Sequence, residues 1–354
     1  MKTRITIKDI ARETGLSLAS VSNILRGGEM YAEATRKRVW DTAHKLNYVP
    51  NRQAQELRHG ANPEVKRLNH LIMRIDHMGG PSIEDNPFEA VRQQIFDWET
   101  LQRGFFPTVY WYYREQGFKC PPLIDNLIDG VVFGIPHLEI IKMFHGRLPM
   151  VLMDVPIPPS IQNIPRVNVN MRSGFIDAVD KAKSLGHSRF ALVGSSEKKH
   201  FISGDVSFRN DILSALNFHN LEISRNQIFC PEISPATHWT VMNETADEIA
   251  VRVRKKQITL ILSVNLSYAS TLYELLPKRG IRIPQDVSII STESRLGFSD
   301  PQPVTSLCYD WKKIIQQTLD VLVKQIQGDA PDNCTEYLIQ PVFNPGKTLA
   351  PPKS

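Results

Sequence analysis

From residue 70 to residue 291, short runs of apolar and β-branched residues alternate with longer amphipathic patterns of helical period. The clearest helical patterns span residues 87–101, 173–186 and 267–280. Strands that alternate with helices in this way form parallel sheets, because each helix returns the chain across the sheet by a right-handed crossover. The predicted strands are 70–75, 107–113, 129–135, 149–155, 190–195, 259–264 and 286–291. So many units predict two α/β lobes, with a crevice at the carboxyl ends of the strands.

Composition limits the class of protein further. The chain has 354 residues, of which 42% are hydrophobic, so it is long enough for two or three compact units with sizeable cores. No apolar run approaches the roughly 20 residues that a membrane span needs. The N-terminal segment lacks the apolar stretch of a secretory signal, and we expect a soluble, cytoplasmic protein. No two of the four cysteines have C-x-x-C spacing, and we expect buried, reduced thiols at Cys120, Cys230, Cys308 and Cys334.

Positive charge is concentrated at the start of the chain. Residues 1–62 contain eleven Lys or Arg and six Asp or Glu, so this segment accounts for the whole net charge of +5. The remaining residues balance, with 31 of each sign. A basic head on a neutral body indicates that the head binds a polyanion.

The basic head begins with two short helical patterns separated by a glycine. Thr6 and Asp9 form a predicted capping box, and Ile7 and Ile10 begin one apolar stripe. Gly15 is predicted to end the first helix in the left-handed conformation. Ser17 is predicted to cap a second helix.

The second and third helices decide what the head could contact. The second buries Val21, Ile24 and Leu25, and a third, basic helix is predicted over residues 33–46. The outer face of the second helix carries only small, apolar or polar side chains, namely Leu18, Ala19, Ser20, Ser22 and Asn23. A face without acidic residues can approach DNA bases without repelling phosphates. A purely structural three-helix bundle is the alternative, and the charge distribution favours DNA binding.

The next stretch, YVPNRQAQELR at residues 48–58, extends the pattern. With TIKDIARETGLSLASVSNIL and ATRKRVWDTAHKLNYVPN, it closely resembles the DNA-binding head and hinge helix of the lactose/galactose-repressor (LacI/GalR) family over about sixty residues. This resemblance implies the following DNA contacts: Thr6 and Ile7 at the first helix; Ser17, Thr35 and Asn51 on phosphates; Leu18, Ala19, Ser20, Ser22 and Asn23 in the major groove; Ala54 and Leu57 in the minor groove.

The hinge segment has physical properties of its own. Asn51 can cap a helix of about six or seven residues, which is too short to be stable in isolation. Gly60 and Pro63 then interrupt the chain, so the helix is expected to fold when docked and to melt when strained. Leu57 would act as a wedge between base pairs. The alternative is a plain linker helix covered by the body.

The body also resembles the family, through SLGHSRFALVGS at 184–195 and KRGIRIPQDVSIIS at 278–291. The subset with a shortened first lobe, including some galactoside-responsive regulators, is the most similar. The resemblance implies a two-lobed sensor like a periplasmic binding protein, which closes on a small effector and dimerises. The predicted domains are a helix-turn-helix head (1–49), a hinge helix and linker (50–63) and a two-lobed α/β sensor with parallel sheets (64–354).

Loop position and the resemblance together suggest effector contacts. Amides, carboxylates and aromatic faces suit a carbohydrate, and the predicted contacts are Phe88, Asn170, Arg209, Trp239, Asn265, Glu293 and Trp311. Each tryptophan has a core position as its alternative, and Asn265 could be a turn residue. Arg209 falls about three positions later than the effector-binding arginine of the family, so its place in the cleft is left open.

Enzyme motifs are missing from the sequence. It contains no G-x-S-x-G elbow, P-loop, G-x-G-x-x-G or H-E-x-x-H pattern, and no cofactor or metal site is predicted. We therefore expect a dimeric transcriptional regulator, and most simply a repressor, that binds a palindromic operator under the control of a small, carbohydrate-like effector. The alternatives are a cleft enzyme acting on a sugar with an accessory DNA-binding head, and a regulator whose sensor domain is inert.

Overall fold

A computed structural model gives the architecture. It describes residues 6–25, 30–46, 48, 68–77, 87–113, 117–118, 127–155, 163–194, 203–230, 232, 237–293, 304–329 and 336–353. The chain divides into two compact units, Met1–Arg67 and Leu68–Ser354. The predicted boundaries after residues 49 and 63 lie outside the described residues and remain predictions.

Within residues 6–46, the described part of the first unit contains three helices around one small core. They are α1 (Ile7–Thr14), α2 (Leu18–Leu25) and α3 (Glu33–Lys45). The predicted helix boundaries are found. Of the predicted capping box, the half contributed by Asp9 forms, and the Thr6 hydroxyl also donates to the Asp9 carboxylate. The Asp9 carboxylate accepts the Thr6 N–H at 2.8 Å, and Gly15 has φ 66°. The Ser17 hydroxyl oxygen accepts the Ser20 N–H at 3.0 Å. The helices meet at the buried side chains Ile10, Ala11, Val21, Ile24, Val39 and Ala43.

The second unit is built on two six-stranded sheets. The first lobe has strands β1 (Leu71–His77), β2 (Phe106–Tyr112), β3 (Gly130–Phe133), β4 (Met150–Met153), β5 (Arg166–Val169) and β11 (Glu336–Ile339). Its strand order is β11-β5-β4-β3-β1-β2, and all its pairs are parallel.

The second lobe contains β6 (Phe190–Val193), β7 (Ile228–Phe229), β8 (Leu260–Ser263), β9 (Ser288–Glu293), β10 (Thr305–Cys308) and β12 (Val342–Asn344), in the order β12-β10-β9-β8-β6-β7. Only the β10–β12 pair is antiparallel among these strands. The helices are α4 (Pro87–Gln102), α5 (Leu138–Phe144), α6 (Met171–Ser184), α7 (Ser203–Phe218), α8 (His238–Arg254), α9 (Leu266–Leu275) and α10 (Trp311–Gln327). Single 3₁₀ turns lie at Arg225–Gln227 and Pro277–Arg279. Within the described residues, no helix is both long and apolar enough to cross a membrane.

All seven predicted strands are present, with ends shifted by a few residues. The central strands GVVF, MVLM, FALV and LILS are buried along their whole length, because helices cover both faces of a parallel sheet. Sequence analysis missed β5, β7, β10, β11 and β12. These strands are short, and β5 (RVNV) and β10 (TSLC) carry too many polar residues to stand out as apolar runs.

Among the described strands and helices, the chain passes between the lobes from β5 to α6, from β10 to α10 and from β11 to β12. The first and third passages are hydrogen-bonded, since the Asn170 N–H donates to the Ile339 carbonyl at 2.8 Å. Gly174 packs against Pro341, and a Cβ at Gly174 would overlap the proline ring. The passages therefore hold the carboxyl ends of both sheets next to one another.

Candidate DNA-binding face and effector cleft

The outer face of α2 is the candidate DNA-binding face. Leu18 is 45% exposed, and Ala19 is exposed beside it. Ser22 and Asn23 are partly exposed on the next turn, whereas Val21, just before them, is fully buried. The α2 helix thus packs one face against the core and exposes uncharged side chains on the other.

The serines at the start of α2 serve the helix as well as the surface. The Ser17 and Ser20 hydroxyls lie 2.9 Å apart, in addition to the cap bond to the Ser20 N–H. A side chain that satisfies a helix N-terminus holds exposed backbone N–H groups in the orientation that suits a phosphate. Thr35, at the start of α3, is partly exposed.

Basic residues follow Thr35 along α3. Lys37 and Arg38 are exposed, and Lys45 is paired with Glu13 of α1 at 3.7 Å. The predicted minor-groove and hinge contacts, Asn51, Ala54 and Leu57, lie outside the described residues.

A buried cluster of charged residues lies between β1 and α4 in the first lobe. Arg74 is fully buried, and its guanidinium contacts Asp76 and Glu89, at 3.1 Å in each case. Arg92 is paired with Glu89 at 2.7 Å and also with Asp76. A Cβ at Gly134 would overlap the Asp76 carboxylate, so the loop after β3 approaches it too closely for a side chain. We call Arg74, Asp76, Glu89 and Arg92 the charge cluster.

Aromatic rings enclose the charge cluster. The Arg74 guanidinium lies over Phe96 and Trp111, 5.7 and 5.4 Å from the ring centroids. The Arg92 guanidinium lies 4.8 Å from the centroid of Trp311, which stacks against Tyr309 at 5.3 Å. Trp311 and Tyr309 come from the passage between β10 and α10, so the charge cluster reaches the junction of the two lobes.

Asp154, the residue directly after β4, lies beside Arg92. Removal from water raises its pKa to about 6, although the Arg92 charge acts in the opposite direction. The same carboxylate and Asp211 of α7 add to the effect of burial in raising the pKa of Tyr309. Burial also raises the pKa of Asp211, against the nearby charge of Arg172. Carboxylates from both lobes therefore lie close enough to Tyr309 to affect the pKa of its phenol.

Two of the predicted effector contacts are helix caps. The Asn170 side chain accepts the Ser173 N–H at 3.2 Å, and the Asn265 side chain accepts the Tyr268 N–H at 3.0 Å. Both residues follow the carboxyl end of a strand, where the crevice was predicted. The structure thus gives Asn265 the turn role that sequence analysis left open, in the same location.

The other predicted contacts occupy different environments. Trp311 is buried, with only 5% of its surface exposed, and forms part of the wall beside Arg92. Trp239 is 54% exposed at the start of α8, edge-on to His238. Arg209 is partly buried on α7. Phe88 lies in the first turn of α4 and Glu293 at the end of β9. Their side chains are not among those that the structure describes.

Sequence analysis missed the charge cluster altogether. The available signal was the pair Arg74 and Asp76 inside the otherwise apolar strand LIMRIDH. Both face the same side, because side chains alternate along a strand. Glu89 and Arg92 are spaced i, i+3 on the facing helix, and this spacing completes the set.

Comparison with known proteins identifies this combination of head and lobes. The family model for bacterial regulatory proteins of the lacI family matches residues 6–51, and the model for a periplasmic binding protein-like domain matches residues 179–349. The chain joins a LacI-family DNA-binding head to a periplasmic-binding-protein-like domain. It is a transcriptional regulator that joins a DNA-binding head to a two-lobed sensor, as the resemblance implied.

Individual relatives agree with the assignment to the LacI family. The HTH-type transcriptional repressor MelR of Bacillus subtilis is 25% identical, over 81% of each chain. A PurR repressor of Aliivibrio fischeri is 22% identical, over 91% of this chain and 92% of the relative. These relatives are named as repressors rather than enzymes.

Solved structures of LacI-family proteins share the fold. The lac repressor dimer bound to operator and the anti-inducer ONPF aligns with a TM-score of 0.70 at 18% identity, covering 98% of this chain and all of the repressor. The regulator CelR in complex with cellobiose aligns with a TM-score of 0.60 at 16% identity, with the same coverage. The predicted fold class is confirmed.

Proposed function

We propose that this LacI-family regulator is a repressor that binds a palindromic operator as a homodimer, and that a small carbohydrate in the cleft between the lobes controls its affinity. It would act in the cytoplasm, where operator DNA is accessible. The effector site is proposed because four side chains lie close together where the chain passes between the lobes: Arg92, Asp154, Tyr309 and Trp311. Ligands of two-lobed α/β proteins bind at such strand ends.

The chemistry at this junction suits hydroxyl groups. Arg92 offers N–H donors, Asp154 offers acceptor oxygens and Tyr309 offers a phenol. Burial of these groups strengthens any hydrogen bond they make to a ligand, because water does not compete. The same polar groups at a junction of two lobes couple binding to lobe movement, since a ligand that contacts both lobes favours one relative position.

In the proposed control mechanism, that movement acts on the segment between the units. Residues 50–63 would fold as hinge helices on the specific site and insert Leu57 into the minor groove. An effector that changed the spacing of the first lobes in a dimer would bias the hinge between folded and melted. Within the group of similar structures, the lac repressor is described as a dimer on its operator.

Fluorescence anisotropy with the palindrome from the regulator's own upstream DNA tests the DNA-binding part. Leu57→Ala should weaken binding to the palindrome much more than binding to a shuffled duplex of equal length. Lys2→Ala, at the basic N-terminus, is a matched control that removes charge and is expected to weaken both alike. Equal losses for Leu57→Ala on both duplexes would contradict the hinge mechanism.

A thermal shift panel tests the sensor part. At least one sugar should raise the melting temperature of the full chain and change its affinity for the palindrome, because a ligand that binds only the folded state stabilises it. If no sugar does so while operator binding is intact, the sensor is inert for sugars and this part of the proposal is wrong.

A further inference from the structure

The charge cluster has a consequence for the kind of effector that the cleft accepts. Arg92 is the member of the cluster that reaches the junction of the lobes, where its guanidinium lies against Trp311. Arg92 is only 7% exposed, and Arg74 behind it is fully buried. Two arginines in such a place would normally form an anion site, as arginines do for phosphate.

In this protein the charges of the two arginines are already balanced. Arg74 contacts both Asp76 and Glu89, and Arg92 contacts the same two carboxylates. The carboxylates of Asp76 and Glu89 are buried like the arginines, with side chains 3% and 10% exposed, and two aromatic rings pack against Arg74. The arginines therefore have no net positive charge left to offer a ligand.

Asp154 adds a negative charge on the cleft side. It lies close enough to Arg92 and Asp76 for both to affect its carboxyl group, and a backbone hydrogen bond from Val169 helps to hold it. With Asp154 ionised, the three carboxylates outnumber the two arginines. A phosphate or carboxylate placed here would add to a buried negative charge, which is costly unless a cation accompanies it. An uncharged ligand carries no such cost.

We propose that the charge cluster, together with Asp154, makes the cleft select an uncharged polyhydroxy effector and reject the phosphate ester of the same sugar. Arg92 would donate to one hydroxyl oxygen and Asp154 would accept from a neighbouring hydroxyl. Asp76 and Glu89 would act indirectly, by balancing Arg92 and fixing its position. The inference rests on the proposed function, because it specifies the class of effector bound at the same site.

Thermal shift and isothermal titration on the full chain test this selectivity. The probes are glucose, galactose, sucrose and cellobiose, and the esters glucose 6-phosphate, galactose 1-phosphate and sucrose 6-phosphate. At least one neutral sugar should stabilise the protein. Its ester carries a charge of about −1.5 to −2 at pH 7. At equal concentration and ionic strength it should bind at least about tenfold more weakly, as repulsion of this charge in a partly buried site implies.

Variants that change one charge test the cause. Glu89→Gln keeps the shape of the side chain but leaves the arginines with one carboxylate fewer, so the affinity gap between a sugar and its ester should narrow by about tenfold. Glu99→Gln is the matched control. Glu99 is also buried on α4, but it pairs with Arg103 at 2.9 Å, away from the cluster. This variant should keep the gap unchanged.

Asp154→Asn provides a second charge change if Glu89→Gln fails to fold. It should also narrow the difference in affinity between the sugar and its phosphate ester. A wild-type protein that binds an ester as tightly as the neutral sugar would overturn the inference and leave the sugar-responsive regulator intact. Folded Glu89→Gln or Asp154→Asn protein with an unchanged gap would also overturn it. If no probe binds the wild type, the proposed sugar effector itself is wrong and the inference falls with it.

Discussion

Replacing Arg92 with glutamine should destabilise the sensor unit strongly, and more at high pH than at low pH. Glutamine keeps most of the side-chain volume and two N–H donors but removes the positive charge. Asp76 and Glu89 then share Arg74 alone, in a region where Arg74 and Asp76 are 0% and 2% exposed. Removing one partner of a buried ion pair costs about 3–5 kcal/mol, because the other partner stays buried and uncompensated.

That cost is a large part of the stability of an ordinary domain, which is about 5–15 kcal/mol.

The pH dependence of the loss follows from the pKa of Glu89. Burial already raises its pKa in the wild type, although Arg92 and Arg74 both oppose the effect. Without Arg92 the pKa should rise further, so that a proton neutralises the carboxyl group at low pH. The variant's deficit should therefore be smaller at pH 5 than at pH 8.

Urea unfolding followed by tryptophan fluorescence measures the deficit at both pH values. Arg252→Gln is the control, because Arg252 of α8 pairs with the exposed side chain of Glu248 at 3.4 Å. The Glu248 side chain is 61% exposed, so no buried carboxylate loses its partner, and we expect a loss of about 1 kcal/mol with little change between pH 5 and pH 8. Equal, pH-independent losses in the two variants would refute a buried, mutually compensating cluster.

Three further predictions concern the head, the junction of the lobes and Asp154. Ser17→Ala removes the cap of α2 and should cost about 1 kcal/mol of head stability, measured by thermal melting, while weakening operator binding. Gly174→Ala should cost about 1–3 kcal/mol in urea unfolding, because its Cβ would overlap Pro341. Burial raises the pKa of Asp154 to about 6, so the folded state loses stability as the pH rises from about 4 to about 6. Asp154→Asn should therefore be more stable than the wild type at pH 7.5 by about 3 kcal/mol, and the difference should vanish near pH 4 in paired unfolding curves.

The fold could be predicted from the sequence wherever the structure depends on residues close together in the chain. The capping residues Thr6 and Ser17, the helix-ending Gly15 and the apolar strands GVVF and LILS all act through neighbours in the chain or through simple burial. Signals of this kind can be recognised in the local sequence, without knowledge of the distant segment against which the element packs. The strand RVNV was missed because its place in the sheet depends on pairing with β4 and with β11, which is 170 residues distant along the chain.

The candidate site was predicted less completely for the same physical reason. Trp311 was predicted to contact the effector, with a core position as the alternative, and the structure buries it against Arg92 and Tyr309. Asn170 and Asn265 lie at the predicted strand ends, where they also cap helices. The charge cluster needs β1 and α4 face to face. In the sequence its four members look like ordinary charged residues, because only the fold shows that they are buried together.

The most direct test of the central claim is selection of DNA by the purified full chain from a randomised duplex library, followed by titration of the selected sequence. A LacI-family regulator of the proposed kind should enrich a twofold-symmetric sequence. It should bind that sequence at least about a thousandfold more tightly than random DNA at physiological salt, and release it when a stabilising sugar is added. Enrichment of no symmetric sequence, or equal affinity for selected and random DNA, would contradict the account.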